Sequence, residues 1–238
     1  MLLKVDLIRN IILAISVLCF SYGLFHWGNG IGQFNFEALI KSIAQGLAIG
    51  HIYFWFQSKL HTNLKSGVFF SLVFIPAGIY FYAFFSVLPF LWFWLLLLIQ
   101  FLLVFTYESR INWRRIPLLK NILIAVMWFI QLNLIPGLAG NMNLIFTPFL
   151  LFYFALSLQV DIEDIEVDNG KINTLAGMLG ARNASFLVVF LLSLFSFYIN
   201  LPWVWIMLTL LVIKLELRLP KGSYDLLLLF LGLYFMFL

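Results

Sequence analysis

Apolar runs of about twenty residues follow one another along almost the whole chain, separated by only a few polar, proline or glycine residues. Nothing else in the sequence constrains the fold as strongly. In a bilayer no water is present to satisfy backbone N–H and C=O groups, so such runs must close their own hydrogen bonds as helices. Charged residues are 10% of the 238, against about 25% in soluble domains. That scarcity excludes a soluble globular protein, a disordered chain and an ordinary nucleic-acid binder.

The breaks predict nine helices, at about 7–25, 38–58, 67–85, 88–107, 118–135, 142–160, 184–200, 202–217 and 224–238. The expected fold class is all-α: a polytopic membrane protein with its nine helices in one bundle. No hydrophilic stretch is long enough for a soluble domain, so 1–238 reads as one transmembrane domain. The basic residues alternate by loop. Lys59, Lys65, Arg110, Arg114, Arg115, Lys171, Arg182 and Lys221 follow spans two, four, six and eight, with Lys214 and Arg218 ending span eight. The loops after spans one, three, five and seven carry no Lys or Arg. By the positive-inside rule the N-terminus and the even-numbered loops face the cytoplasm. Lys41, near the outer end of span two, is the one basic residue on the wrong side. The expected location is an integral membrane, the inner membrane of a bacterium.

A single cysteine, Cys19, lies in an apolar run, which leaves no disulfide framework and no CxxC metal site. His26, His51 and His61 lack the spacing of a zinc site. An unrelated small transporter would carry ionisable residues near the bilayer midplane, and the mid-span positions read as apolar. Asp225 stands at the edge of the last span.

The acids are distributed very unevenly. Of the 10 Asp and Glu residues, Asp161, Glu163, Asp164, Glu166 and Asp168 fall within one stretch of eight. On a helix, Asp161, Asp164 and Asp168 share an arc of roughly 60°, with Glu163 and Glu166 on the other side. Three carboxylates on one stripe repel, and a divalent cation removes that cost. Mg²⁺ suits such a set, since it binds through one or two carboxylates together with substrate phosphates. An EF-hand is excluded, because Asn169 stands where the turn glycine is required and Leu175 where the bidentate Glu belongs.

The stretch DIEDIEVDNGKINTLAGMLG (161–180) resembles the second aspartate-rich motif of the UbiA-type intramembrane prenyltransferases. The matching positions are Asp161, Asp164, Asp168, Lys171, Thr174, Leu175 and Gly180. A second segment, YESRINWRRIPLLKNILIAVMW (107–128), is similar to the family's connection between helices four and five, with Tyr107, Arg115, Lys120 and Asn121 in the matching places. The family has nine helices and a cytoplasmic site. It also carries a first motif, NxxxDxxxD, at the end of helix two. This chain departs there: no Asp or Glu occurs between Glu37 and Glu108.

The resemblance implies Mg²⁺-dependent transfer of a prenyl group from a prenyl diphosphate to a lipophilic acceptor. Asp161, Asp164 and Asp168 are then the catalytic, metal-holding residues. Lys171, Arg110, Arg115, Lys59, Tyr107, Lys120 and Asn121 are then the substrate-binding residues, with Lys59 a surrogate cation where the first motif is missing. The implied partners are the two substrates and membrane lipid, and not nucleic acid. The alternative is a relative that has lost catalysis and binds a prenyl lipid or a partner protein.

Overall fold

A computed structural model describes residues 15–24, 36–37, 39–43, 91–92, 94–96, 98–99, 116–138, 147–168, 174–199 and 231–233; at 136, 163, 164 and 166–168 the backbone alone is described. Apart from turns at their ends, the described residues are helical. The elements are α1 (Ile15–Leu24), α2 (Pro117–Phe129), a π-helical turn (Ile130–Leu134), α3 (Ile135–Leu138), α4 (Phe149–Asp168), α5 (Leu175–Leu179) and α6 (Ala181–Tyr198). By length and composition, the 18-residue helical runs Pro117–Leu134 and Ala181–Tyr198 can each cross a membrane. At 1.5 Å per residue each is about 27 Å long, close to the hydrocarbon thickness. α1 and the Phe149–Ile162 part of α4 are shorter apolar helices.

The chain divides into two compact units, 1–90 with 135–145 and 225–238, and 91–134 with 146–224. In the first, residues 231–233 pass close to α1. A Cβ on Gly232 would lie 2.5 Å from the Cys19 carbonyl carbon and 2.5 Å from the Phe20 backbone nitrogen. Only a residue without a side chain allows that approach. Lys41 pairs with Glu37 one turn earlier at 2.5 Å. The basic residue that breaks the loop alternation is thus locally neutralised.

In the second unit α4 packs against both α2 and α6, and α5 lies against all three. Phe149, Phe152, Tyr153, Ala155, Leu156 and Leu158 of α4 are buried. They cover the helix nearly all round, as expected of a central helix. α6 is one-sided: Ala184, Val188, Leu192 and Phe195 are buried at three- and four-residue spacing, while Phe186, Phe190 and Phe197 are exposed. The ring of Phe195 lies 5.0 Å from Phe152 and 5.2 Å from Phe149, centroid to centroid.

The boundaries differ from the sequence reading in one informative place. The expected span at 142–160 begins instead at Phe149, after a turn at Thr147–Pro148, and continues through the acidic stretch to Asp168. Proline has no N–H and fixes its own φ, so it favours a helix start. The stretch between the expected spans at 142–160 and 184–200 therefore holds the end of α4, all of α5 and the start of α6. Thr174 caps α5 by accepting the Gly177 N–H at 3.0 Å. Gly180, at φ 76° and ψ 149°, makes the corner into α6. That backbone conformation is essentially restricted to glycine.

Candidate functional site

Two pairs of neighbours meet across the α2–α4 contact. Lys120 and Asn121 lie in the first turns of α2, behind Pro117 at its first position. Ser157 and Asp161 lie one turn apart on α4. The helices run antiparallel, so the start of α2 meets the end of the apolar part of α4. The Lys120 ammonium donates to Asp161 Oδ1. The Asn121 amide Nδ2 donates to Ser157 Oγ at 3.0 Å and to Asp161 Oδ2 at 3.1 Å. Both oxygens of the Asp161 carboxylate are thus engaged. Asp161 is 1% exposed, Asn121 0% and Lys120 9%, so this is a buried charge pair with hydrogen-bond support. Such support is what a buried charge requires. Ile116, which caps α2, offers its N-terminus no side-chain acceptor. A lysine near the positive end of a helix dipole is unfavourable alone, and the Asp161 charge offsets this.

The polar row continues along α4. Tyr153, one turn before Ser157, donates its hydroxyl hydrogen to Asn133 Oδ1 at 2.5 Å. Asn133 and its buried neighbour Gln131 lie in the π-helical turn. Pro136 has no N–H to return to Leu132, a physical reason for the widened turn before it. Tyr153, Ser157 and Asp161 thus form an i, i+4, i+8 row on α4 facing Asn133, Asn121 and Lys120. Among the described residues Asn121 Oδ1 accepts no hydrogen bond.

Of the residues singled out from the sequence, the structure brings Asp161, Lys120 and Asn121 together. Asp164 and Asp168 stand on the same helix, three and seven positions beyond Asp161, and their side chains lie outside the described residues. Lys59, Tyr107, Arg110, Arg115 and Lys171 lie wholly outside them. Ser157, Tyr153 and Asn133 were missed by sequence reasoning, which read the middles of the spans as apolar. The signal was there: counting back from Asp161 in fours reaches Ser157 and Tyr153. Polar groups within a span turn inward to partners. Thr174 and Gly180, matched as part of a motif, serve as a helix cap and a corner.

Among the described residues no three His, Cys, Asp or Glu side chains gather as a metal site. Each oxygen of Asp161 already accepts a hydrogen bond, one from an ammonium and one from an amide. Two unit charges 4 Å apart at an effective dielectric near 20 interact by about 4 kcal/mol, so the Lys120 ammonium offsets much of the pull that the Asp161 carboxylate would exert on a further cation. Asp164 and Asp168 stand further along the same continuous helix. No protein-family model, curated protein or solved structure matches the chain.

Proposed function

We propose that the protein is a nine-helix membrane enzyme of the UbiA-like type that transfers a prenyl group from a prenyl diphosphate to a lipophilic acceptor. In this reading the N-terminus and the aspartate motif face the cytoplasm. The observation that carries the reading is the meeting of Lys120 and Asn121 with Asp161. Two segments chosen for separate resemblances, whose bonded pairs are 40 and 41 residues apart, converge on one hydrogen-bonded cluster. α4 also holds Asp161, Asp164 and Asp168 on one continuous helix.

Asp164 and Asp168 would hold Mg²⁺, which when bound offsets the charge of the leaving diphosphate. The chain's own groups do the rest. The Lys120 ammonium, with one N–H on Asp161, directs its remaining donors to diphosphate oxygens. Lys171, Arg110, Arg115 and Lys59 add positive charge on the same membrane side, where the diphosphate enters. Tyr107 belongs to the same substrate-binding set. The aromatic interior takes the prenyl chain, and ring faces favour positive charge developing at the allylic carbon. Fixed charges aimed at the leaving group act most strongly where water is excluded.

The test is incorporation of labelled prenyl from a prenyl diphosphate into lipid-soluble product by membranes carrying the protein. The expected result is Mg²⁺-dependent incorporation that Asp164→Asn abolishes. Full activity of that variant, or activity without divalent ion, contradicts the mechanism. One observation favours a second reading, a prenyl-lipid-binding relative without turnover: Asp161 is committed to an internal partner, and the chain has no first aspartate motif. Saturable binding of a prenyl diphosphate with no turnover across acceptors would select it.

A further inference from the structure

Three buried polar features stand out among the described residues: Ser16 and Ser21 in α1, Tyr153 with Asn133, and the cluster around Asp161. The last goes furthest, and it changes the role of a residue in the motif. We propose that Asp161 is a positioning residue and not a metal ligand. It is the counter-ion of Lys120, whose ammonium is a resident cation in the place where Asp161 would otherwise take a divalent ion. The proposal rests on the proposed function for the use the ammonium is put to, but the pairing does not depend on it.

Three observations support this. Lys120 and Asn121 take one oxygen each of the Asp161 carboxylate. The Asn121 amide that fixes the second oxygen is itself fixed by Ser157 on the same α4 face. Asp161 is almost fully buried, whereas a magnesium ion characteristically keeps several waters. A charge held permanently by a side chain needs no ion from solution. It suits a chain that carries no acid between Glu37 and Glu108. Asp161 thus acts on an anion only through Lys120, holding the ammonium at the α2–α4 contact.

The experiment compares the full-length protein in detergent with Lys120→Met, Asp161→Asn, the double variant and Asp164→Asn. Mn²⁺ binding is titrated by electron paramagnetic resonance, and thermal midpoints are read in parallel. The double variant is decisive because it removes both charges and keeps the net charge. We expect it to bind Mn²⁺ within about threefold of the unaltered protein, while Asp164→Asn weakens binding at least about tenfold. Lys120→Met alone should bind Mn²⁺ more tightly, because it frees the Asp161 carboxylate. Its thermal midpoint should fall, and the added Asp161→Asn should restore most of the loss.

A double variant that loses Mn²⁺ as Asp164→Asn does would overturn the proposal. So would additive thermal losses from the two single changes. If Lys120→Met does not fold, Lys120→Arg, which keeps the charge, must retain both the midpoint and the Mn²⁺ affinity; a loss of affinity there counts against the proposal. No Mn²⁺ binding by the unaltered protein would sink the proposed function instead. The thermal cycle would then decide the pairing, with non-additivity supporting it and additivity overturning it.

Discussion

The two sides of α4 are built differently. Toward α2 it presents Tyr153, Ser157 and Asp161, which hydrogen-bond across the contact. Toward α6 it presents Phe149 and Phe152, which close on Phe195. In a bilayer the lipid is as apolar as a leucine side chain, so aromatic packing associates helices through close fit alone. A polar contact adds direction, since each donor must find its acceptor or remain unsatisfied in a medium without water. The aromatic side of α4 therefore tolerates changes of similar volume, while the polar side does not.

The largest effect should come from Lys120→Met, which leaves the buried Asp161 carboxylate uncompensated. Removing one partner of a buried pair costs about 3–5 kcal/mol, and the thermal midpoint in detergent should fall accordingly. Phe195→Ala tests the other side. It removes a ring packed between Phe149 and Phe152 and should cost about 3 kcal/mol through the cavity left, whereas Phe195→Leu should cost less. If Phe195→Ala proved harmless and Phe195→Leu severe, the aromatic contact would not be plain packing.

Tyr153→Phe keeps the ring and deletes the donor to Asn133. Hydrogen bonds between membrane helices are worth about 0.6 kcal/mol on average and at most about 1.7, so a loss in that range is expected. A loss above it would mean that the hydroxyl organises more of the π-helical turn than one bond. Smallest of all, Phe190→Leu, on the exposed face of α6, should shift stability by no more than about 0.5 kcal/mol.

How much of this was legible beforehand differs along the chain. The apolar runs gave helices 117–134 and 181–198 nearly as found, because length and hydropathy decide those. The start of α4 was misplaced by seven residues, since periodicity does not register the stop that the Thr147–Pro148 turn imposes. Asp161, Lys120 and Asn121 were visible as chemistry-bearing residues. Their pairing was not, because residues 41 apart meet only through the antiparallel packing of two helices. That packing pairs Asp161 with Lys120. Nine spans, a cytoplasmic site and the basic residues 59, 110, 115 and 171 remain part of the functional proposal, as they lie beyond the described helices.

The most direct test of the central claim is pyrophosphate release from a prenyl diphosphate by the purified protein, with and without Mg²⁺ and with Asp164→Asn as control. Release that requires Mg²⁺ and disappears in Asp164→Asn is the result the account predicts. Release indifferent to both, or tight prenyl diphosphate binding with no release in the presence of Mg²⁺ and acceptor, would contradict it.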